Sequence, residues 1–240
     1  MKQATGIIPA RFHSQRFPGK PLALIQGKPM IERVYEKASE SKFLEKIIVA
    51  TDDERISRAA QNIGAEVQMT SPLHNSGTER VAEVANETKT PLIINIQGDE
   101  PLIKGQMIDA LVLALQNESI PMVSLMAKVE NLELLRDTDT VKVVVDKNGY
   151  ALYFSRSPLP FQPSDYFFQH IGIYGYQRNF LLKLIRLGPS WLEKTENLEQ
   201  LRALEHGFPI KMIETQSPTL SIDTPKDIIR LEEFLKKKGK

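Results

Sequence analysis

The sequence predicts an α/β fold: a mixed, mainly parallel sheet with helices on both faces and a β-hairpin insertion. Three observations predict it. Strand and helix signals alternate through the first hundred residues, the strand implied at 92–96 is apolar on both faces, and an Asn148-Gly149 turn separates two strand-like runs further on.

Residues 4–9 (ATGIIP) form a short apolar run closed by proline, which reads as a buried strand. Pro29 sits where a first helical turn would begin, and MIERVYEKASES continues with apolar residues at helical spacing. Residues 46–50 (KIIVA) give a second strand. Asp53 is placed to cap the helix ERISRAAQNI, with Gly64 at its C-terminal exit. Residues 66–69 form a third, weaker strand, and Ser76-Gly-Thr-Glu79 has the capping-box pattern ahead of RVAEVANE. Residues 92–96 (LIINI) are the fourth strand.

The pattern then changes. Residues 141–145 and 151–155 flank Asp146-Lys-Asn-Gly149, a hairpin turn that needs positive φ. Residues 156–169 hold three of the fifteen prolines and read as an irregular loop. A strand over 171–176, helices over 179–187 and about 196–206, a strand over 210–214 and a closing helix from 225 to 237 complete the chain.

Composition removes several function classes. The 240 residues carry 31 Lys+Arg against 30 Asp+Glu, a net charge of +1, which does not suit a protein that wraps nucleic acid. No cysteine is present, so disulfides, thiol nucleophiles and Cys-ligated metals are excluded. No stretch approaches the ~20 apolar residues that span a bilayer. The opening MKQATGIIPARF has too short an apolar run for a signal peptide, and a cytoplasmic location is expected.

In parallel sheets ligands bind beyond the carboxyl ends of the strands. The loops at 10–20, 70–80, 97–101 and 217–224 should therefore share a rim. The first of them is the most suggestive. Residues 1–31 hold Lys2, Arg11, Arg16, Lys20 and Lys28 with no acid before Glu32, and three of those cations lie in one Gly/Pro loop. Arginine grips phosphate oxygens in a fork and lysine acts as a point charge, so the loop suits a polyphosphate. It is not a Walker A loop, since Pro21 follows Lys20, and there is no G-x-G-x-x-G for a dinucleotide. In Asn95-Ile-Gln-Gly-Asp-Glu-Pro101, Gly98 allows close backbone approach, and the two carboxylates there can hold Mg²⁺ beside phosphates. Gly98-Asp-Glu-Pro101 is also good turn chemistry. Asp223, before Thr224-Pro225, reads by itself first as a helix start, with a metal ligand as the second reading.

Taken together the segments carry a resemblance. The pattern I-P-A-R-x-x-S-x-R-x-P-G-K-P-L (8–22) is followed by H-x-S-G-T-E-R (74–80), N-x-Q-G-D-E-P (95–101), H-x-G-I-Y-G-Y (170–176), L-E-Q-L-R (198–202) and D-T-P (223–225). This resembles the CMP-Kdo synthetases, the 3-deoxy-manno-octulosonate cytidylyltransferases, from Gly6 to about Leu231. The resemblance implies a nucleotide-diphospho-sugar transferase-like, Rossmann-like fold in one domain over 1–240. A hairpin, dimerisation and sugar-binding region would be inserted at about 120–176. It implies transfer of a cytidylyl group from CTP to the anomeric hydroxyl of Kdo, with release of pyrophosphate, for lipopolysaccharide biosynthesis by a homodimer.

By the same resemblance Arg11, Arg16 and Lys20 bind the triphosphate and, with Asp99, make up the catalytic set. Asp99 and Asp223 hold Mg²⁺. Ser76, Arg80 and Gln97, with backbone at Ala10, surround the cytidine. Arg156, His170, Tyr174, Glu199 and Gln200 form the Kdo side, offering a cation for the acid and directional groups for the ring hydroxyls. No residue is an obvious general base. Two other readings stand beside this one within the enzymes: a cytidylyltransferase for another acid sugar, such as amino-Kdo or sialic acid, and a metal-dependent glycosyltransferase. The basic loop argues against the latter, whose nucleotide-sugar donor leaves no pyrophosphate to bind. A nucleotide sensor without chemistry is a third reading.

Overall fold

The computed structural model describes residues 3–13, 16–216 and 221–238. The chain divides into two compact units. One combines Gln3–Asp109 with the described part of Thr219–Lys240, and the other is the described part of Ala110–Pro218.

The first unit is built on four parallel strands, β1 (Ala4–Ala10), β4 (Leu44–Thr51), β5 (Glu66–Met69) and β6 (Leu92–Asn95). β1 pairs with both β4 and β6, and β4 carries β5 on its other side. All seven residues of β1 and all four of β6 are buried, so the sheet is covered on both faces where they meet. Between these strands run the short β2 (Leu24–Ile25) and β3 (Lys28–Pro29), then helices α1 (Met30–Ala38), α2 (Glu54–Asn62) and α3 (Gly77–Glu87). Asp53 caps α2 through its side chain on the Arg55 N–H, and Gly64 leaves that helix at φ 79°, both as the sequence predicts. Chain order β1, β4, β5 runs outward on one side, and β6 then returns to the other side of β1. The order therefore reverses at β1, and open α/β sheets take their ligands at the carboxyl ends of the strands flanking such a reversal, here β1 and β6.

The second unit pairs β7 (Met122–Val129) in parallel with β11 (Ile210–Thr215) and antiparallel with β10 (Phe167–Gln177). The expected hairpin is present as β8 (Lys142–Val145) and β9 (Ala151–Ser155), with Gly149 at φ 77° in its turn. Helices α5 (Arg178–Arg186), α6 (Trp191–Glu196) and α7 (Leu201–Glu205) lie between β10 and β11. The fold is thus the mixed, mostly parallel α/β arrangement that the alternating signals imply. No helix among the described residues is long and apolar enough to cross a membrane.

Several elements differ from the sequence expectation. β7 and the helix α4 (Gly105–Ala114) were not foreseen. Both are nearly uniform in apolar character and show no amphipathic period to read. The helix expected over 196–206 is broken, because Asn197 takes a left-handed conformation at φ 54° and ends α6. Glu199 and Gln200 therefore lie in the turn before α7, not on a helix face. β10 also begins at Phe167, inside the segment read as loop.

Candidate active site

The basic loop leaves β1 at Ala10 and folds back on itself. Gly19, at φ 73°, donates its N–H to the Phe12 carbonyl at 2.8 Å and opens a 3-10 turn over Lys20–Leu22. A side chain at residue 19 would meet the Phe12 ring at 3.2 Å, and the Arg55 guanidinium covers that ring at 3.3 Å from its centroid. Glycine is required there by both conformation and space. The turn aims Lys20 inward.

Lys20 Nζ donates to Asp99 Oδ2 at 2.7 Å and to the Ile222 carbonyl at 3.0 Å, and stands 3.6 Å from Asp223 Oδ1. Arg16 Nη2 donates to the same Asp223 oxygen at 2.9 Å. The Ile222 N–H closes the cluster on the Asp99 carbonyl at 2.9 Å. Arg16, Lys20, Asp99 and Asp223, far apart in the chain, are therefore one cluster beyond the carboxyl ends of β1 and β6 in the first unit. Arg11 lies at the head of the same loop with its side chain exposed. Of the loop expected over 217–224, residues 217–220 lie outside the described residues.

Asp223 is not the helix cap. That task falls to Thr224 and Asp227 at the start of α8 (Pro225–Lys238). The Asp227 carboxylate accepts from the N–H groups of Asp223 and Thr224 and from the Thr224 hydroxyl, at 2.8–3.1 Å. Burial works to raise the Asp227 pKa, yet these hydrogen bonds hold it below the usual carboxylate value. The Asp223 side chain is thereby left to the two cations.

Close backbone approach fixes the neighbouring wall. A Cβ on Gly98 would sit 2.9 Å from the Pro9 carbonyl oxygen, and one on Gly77 would meet Pro9 Cγ at 3.3 Å and Gln97 Oε1 at 3.6 Å. Gln97 and the start of α3 are consequently brought against the end of β1. Ser76 caps α3 by accepting from the Glu79 N–H at 3.2 Å. The Glu79 carboxylate reaches one residue beyond the expected capping box, to the Asn75 N–H at 2.8 Å. Arg80 is buried and braces the site from behind: it pairs with Asp52 at 3.0 Å and donates to the Thr70 hydroxyl.

The residues expected on the sugar side lie in the second unit. Arg156 follows β9, and its guanidinium donates to the Thr138 carbonyl at 2.8 Å. Its backbone is held at both ends. The N–H donates to Glu196 at 3.3 Å, a carboxylate that also takes the hydroxyls of Ser155 and Tyr153. The carbonyl accepts from Lys142, whose ammonium is fully buried and also donates to the carbonyls of Asp137 at 2.9 Å and Thr140 at 2.7 Å. Burial lowers the Lys142 pKa from its ordinary value.

His170 and Tyr174 stand on β10 with ring centroids 5.5 Å apart, and the Tyr174 hydroxyl donates to Gln200 Oε1 at 3.1 Å. Gln200 Nε2 is buried with no hydrogen-bond partner among the described residues. Glu199, beside it, is exposed. The structure thus gathers His170, Tyr174 and Gln200 into one cluster and puts Arg156 in a separate clamp. Lys142, Glu196 and Ser124 were not singled out from the sequence. A lysine inside the apolar run V-K-V-V-V and a serine inside M-V-S-L-M-A were the available signals.

A family model described as cytidylyltransferase matches residues 5–216. The chain belongs to the cytidylyltransferase family. Relatives named 3-deoxy-manno-octulosonate cytidylyltransferase share high identity with it. That of Syntrophotalea carbinolica is 47% identical over 97% of this chain and 98% of its own length. That of Solibacter usitatus is 48% identical over 98% and 95%. Among solved structures, CMP:2-keto-3-deoxy-manno-octonic acid synthetase complexed with CTP superposes with a TM-score of 0.92 at 37% identity, covering 98% of this cytidylyltransferase and 99% of that chain.

The carboxylates suit a hard divalent cation. Asp99 and Asp223 converge on one positive centre, the Lys20 ammonium, and offer only oxygen. Among the described residues no group of three or more His, Asp or Glu forms a complete cage. Magnesium typically takes one or two carboxylates and completes its shell with phosphate and water.

Proposed function

We propose that this cytidylyltransferase transfers the cytidylyl group of CTP to the anomeric hydroxyl of Kdo, giving CMP-Kdo and pyrophosphate. The observation that carries the reading is the convergence of Lys20, Arg16, Asp99 and Asp223 at the carboxyl ends of β1 and β6. It is supported by the relatives' names and by the CTP complex of the 37% identical structure.

The protein's own groups have distinct tasks. Arg11, Arg16 and Lys20 bind the triphosphate and stabilise the charge that develops on the departing pyrophosphate. Ser76, Gln97 and backbone at Ala10 hold the cytidine, while Arg80 keeps that wall in place from its buried pair with Asp52. Arg156, His170, Tyr174, Glu199 and Gln200 orient the sugar acid. Asp99 and Asp223 would hold Mg²⁺, whose charge when bound would offset that of the phosphate oxygens and favour ionisation of a hydroxyl beside it. That hydroxyl belongs to a hemiketal and is more acidic than an ordinary alcohol, so in-line attack needs no strong base. Catalysis is then mainly positioning and charge stabilisation. The protein acts in the cytoplasm as a homodimer, supplying activated Kdo for lipopolysaccharide.

Pyrophosphate release from each nucleoside triphosphate, with a panel of acid sugars and with or without a chelator, tests the reading. CTP with Kdo and Mg²⁺ should be required together. Equal rates with ATP or GTP, turnover without a sugar, a preference for sialic acid, or indifference to chelation would each overturn the corresponding part.

A further inference from the structure

Ser124 lies in β7 opposite a bulge in β10. The register pairs His170 with Met126 and Ile171 with Leu125, then passes directly to Tyr174 opposite Ser124. Gly172 and Ile173 are the extra residues, and such a bulge re-aims backbone groups and side chains. Ser124 Oγ meets the carbonyls of Ile173 at 2.9 Å and Ile171 at 3.2 Å, and the same oxygen is 2.9 Å from His170 Nε2. Ser124 is fully buried.

A serine hydroxyl has one proton to give, and a carbonyl oxygen can only accept. If Ser124 donated to the imidazole, its lone pairs would face two buried carbonyl oxygens with nothing between them. The contacts close without conflict in one way: Ser124 donates to the carbonyls and the imidazole donates Nε2–H to Ser124. The ring is buried beside Phe154 and Tyr174, and burial holds its pKa at about 3, far below the ordinary 6.5, so it carries a single proton. With that proton on Nε2, Nδ1 is a lone pair.

We propose that Ser124 is a positioning residue that locks His170 in its Nε2–H tautomer, so that Nδ1 accepts a hydroxyl of the sugar and cannot donate to its carboxylate. The assignment to a sugar rests on the proposed function, whereas the tautomer does not. Gln200 complements it. Because Tyr174 donates to Gln200 Oε1, Gln200 Nε2, which has no partner among the described residues, is a donor. The cluster therefore offers an acceptor and a donor, as a sugar hydroxyl requires, and the carboxylate falls to Arg156.

Two-bond ¹H–¹⁵N spectra of histidine-labelled enzyme without ligands read the tautomer directly. His170 should show a neutral ring protonated on Nε2 from pH 5 to 8; an Nδ1–H or doubly protonated ring overturns the lock. Ser124→Ala should mix the tautomers and raise KM for Kdo about tenfold, with KM for CTP unchanged. Kdo analogues lacking one hydroxyl at a time supply the second readout. One should lose about tenfold or more in kcat/KM with the wild type and nothing further with His170→Ala. If no analogue behaves so, His170 is not a hydroxyl acceptor. Should Ser124→Ala fail to fold, the wild-type spectrum still decides. Turnover of Kdo with an Nδ1–H spectrum sinks this inference and spares the proposed function; an Nε2–H spectrum without Kdo turnover does the reverse.

Discussion

Lys20 holds Asp99 at 2.7 Å, and it does so from the turn that Gly19 opens at the end of β1. The lysine also lies 3.6 Å from Asp223, a residue 124 positions beyond Asp99, so one ammonium gathers both candidate magnesium ligands. Replacing either aspartate by Asn keeps its volume and removes a charge. We expect Asp99→Asn and Asp223→Asn each to lower kcat about 10²-fold or more, a barrier increase of roughly 2.7 kcal/mol. The double variant should be little worse than the worse single, because the residues act as one unit. Initial rates check this, and additive losses would show two independent sites.

Melting separates catalysis from capping at the same place. Since the Asp227 carboxylate takes the N–H groups of Asp223 and Thr224 at the entry to α8, and the Asp223 side chain takes none of them, Asp223→Asn should leave the melting temperature unchanged. Asp227→Ala should cost about 1 kcal/mol of stability, the usual worth of a helix cap. If Asp223→Asn melts early and retains its rate, the aspartate is structural.

The basic loop gives a third expectation. Arg16→Ala and Lys20→Ala should each reduce kcat by about 10²-fold or more, because each contact is to a group whose charge grows in the transition state. Steady-state kinetics with saturating CTP and Kdo measure it. A variant at near-full kcat would make the loop an ordinary solvated surface.

Much of this site is legible in the sequence because its elements are local. Gly19, Lys20, Gly98 and Asp99 sit in short motifs whose turn chemistry and charge can be read directly, and the short apolar runs of β1 and β6 place those motifs at strand ends. What could not be read is pairing at a distance. Nothing local tells that Asp227 rather than Asp223 caps α8, or that Arg80 turns inward to Asp52. β7 and α4 escaped because uniform apolar character carries no period. The Asn197 break moved Glu199 and Gln200 off the expected helix, since a single non-glycine residue in a left-handed conformation leaves little trace in a pattern.

Lys142 supplies a fourth test. Lys142→Met keeps the length and apolar stem but leaves the carbonyls of Asp137, Thr140 and Arg156 without their donor. Each such buried group costs about 1–3 kcal/mol. Stability should fall by more than about 2 kcal/mol, and KM for Kdo should rise while KM for CTP holds, since Arg156 loses one end of its clamp. Denaturant melts and two saturation curves decide it, and an unchanged KM for Kdo would detach Arg156 from the sugar.

His170 makes a prediction about pH. Its folded pKa is about 3 and its unfolded value is near 6.5, with burial as the cause. Between those values the unfolded chain binds a proton that the folded protein refuses, so stability must fall as pH falls below 6.5 and is unaffected above it. The sign is that of a depressed base. From pH 8 to pH 5 the wild type should lose about 2 kcal/mol through this residue alone. Other groups titrate over the same range, so the measurement is a difference: urea melts of wild type and His170→Gln at several pH values. The glutamine variant should be less stable at pH 8 and should close on the wild type by about 2 kcal/mol at pH 5. Parallel curves would mean that the ring is protonated or solvated in the folded state. In that case Ser124 could not be fixing a neutral tautomer, and the hydroxyl-accepting role of Nδ1 would fall with it.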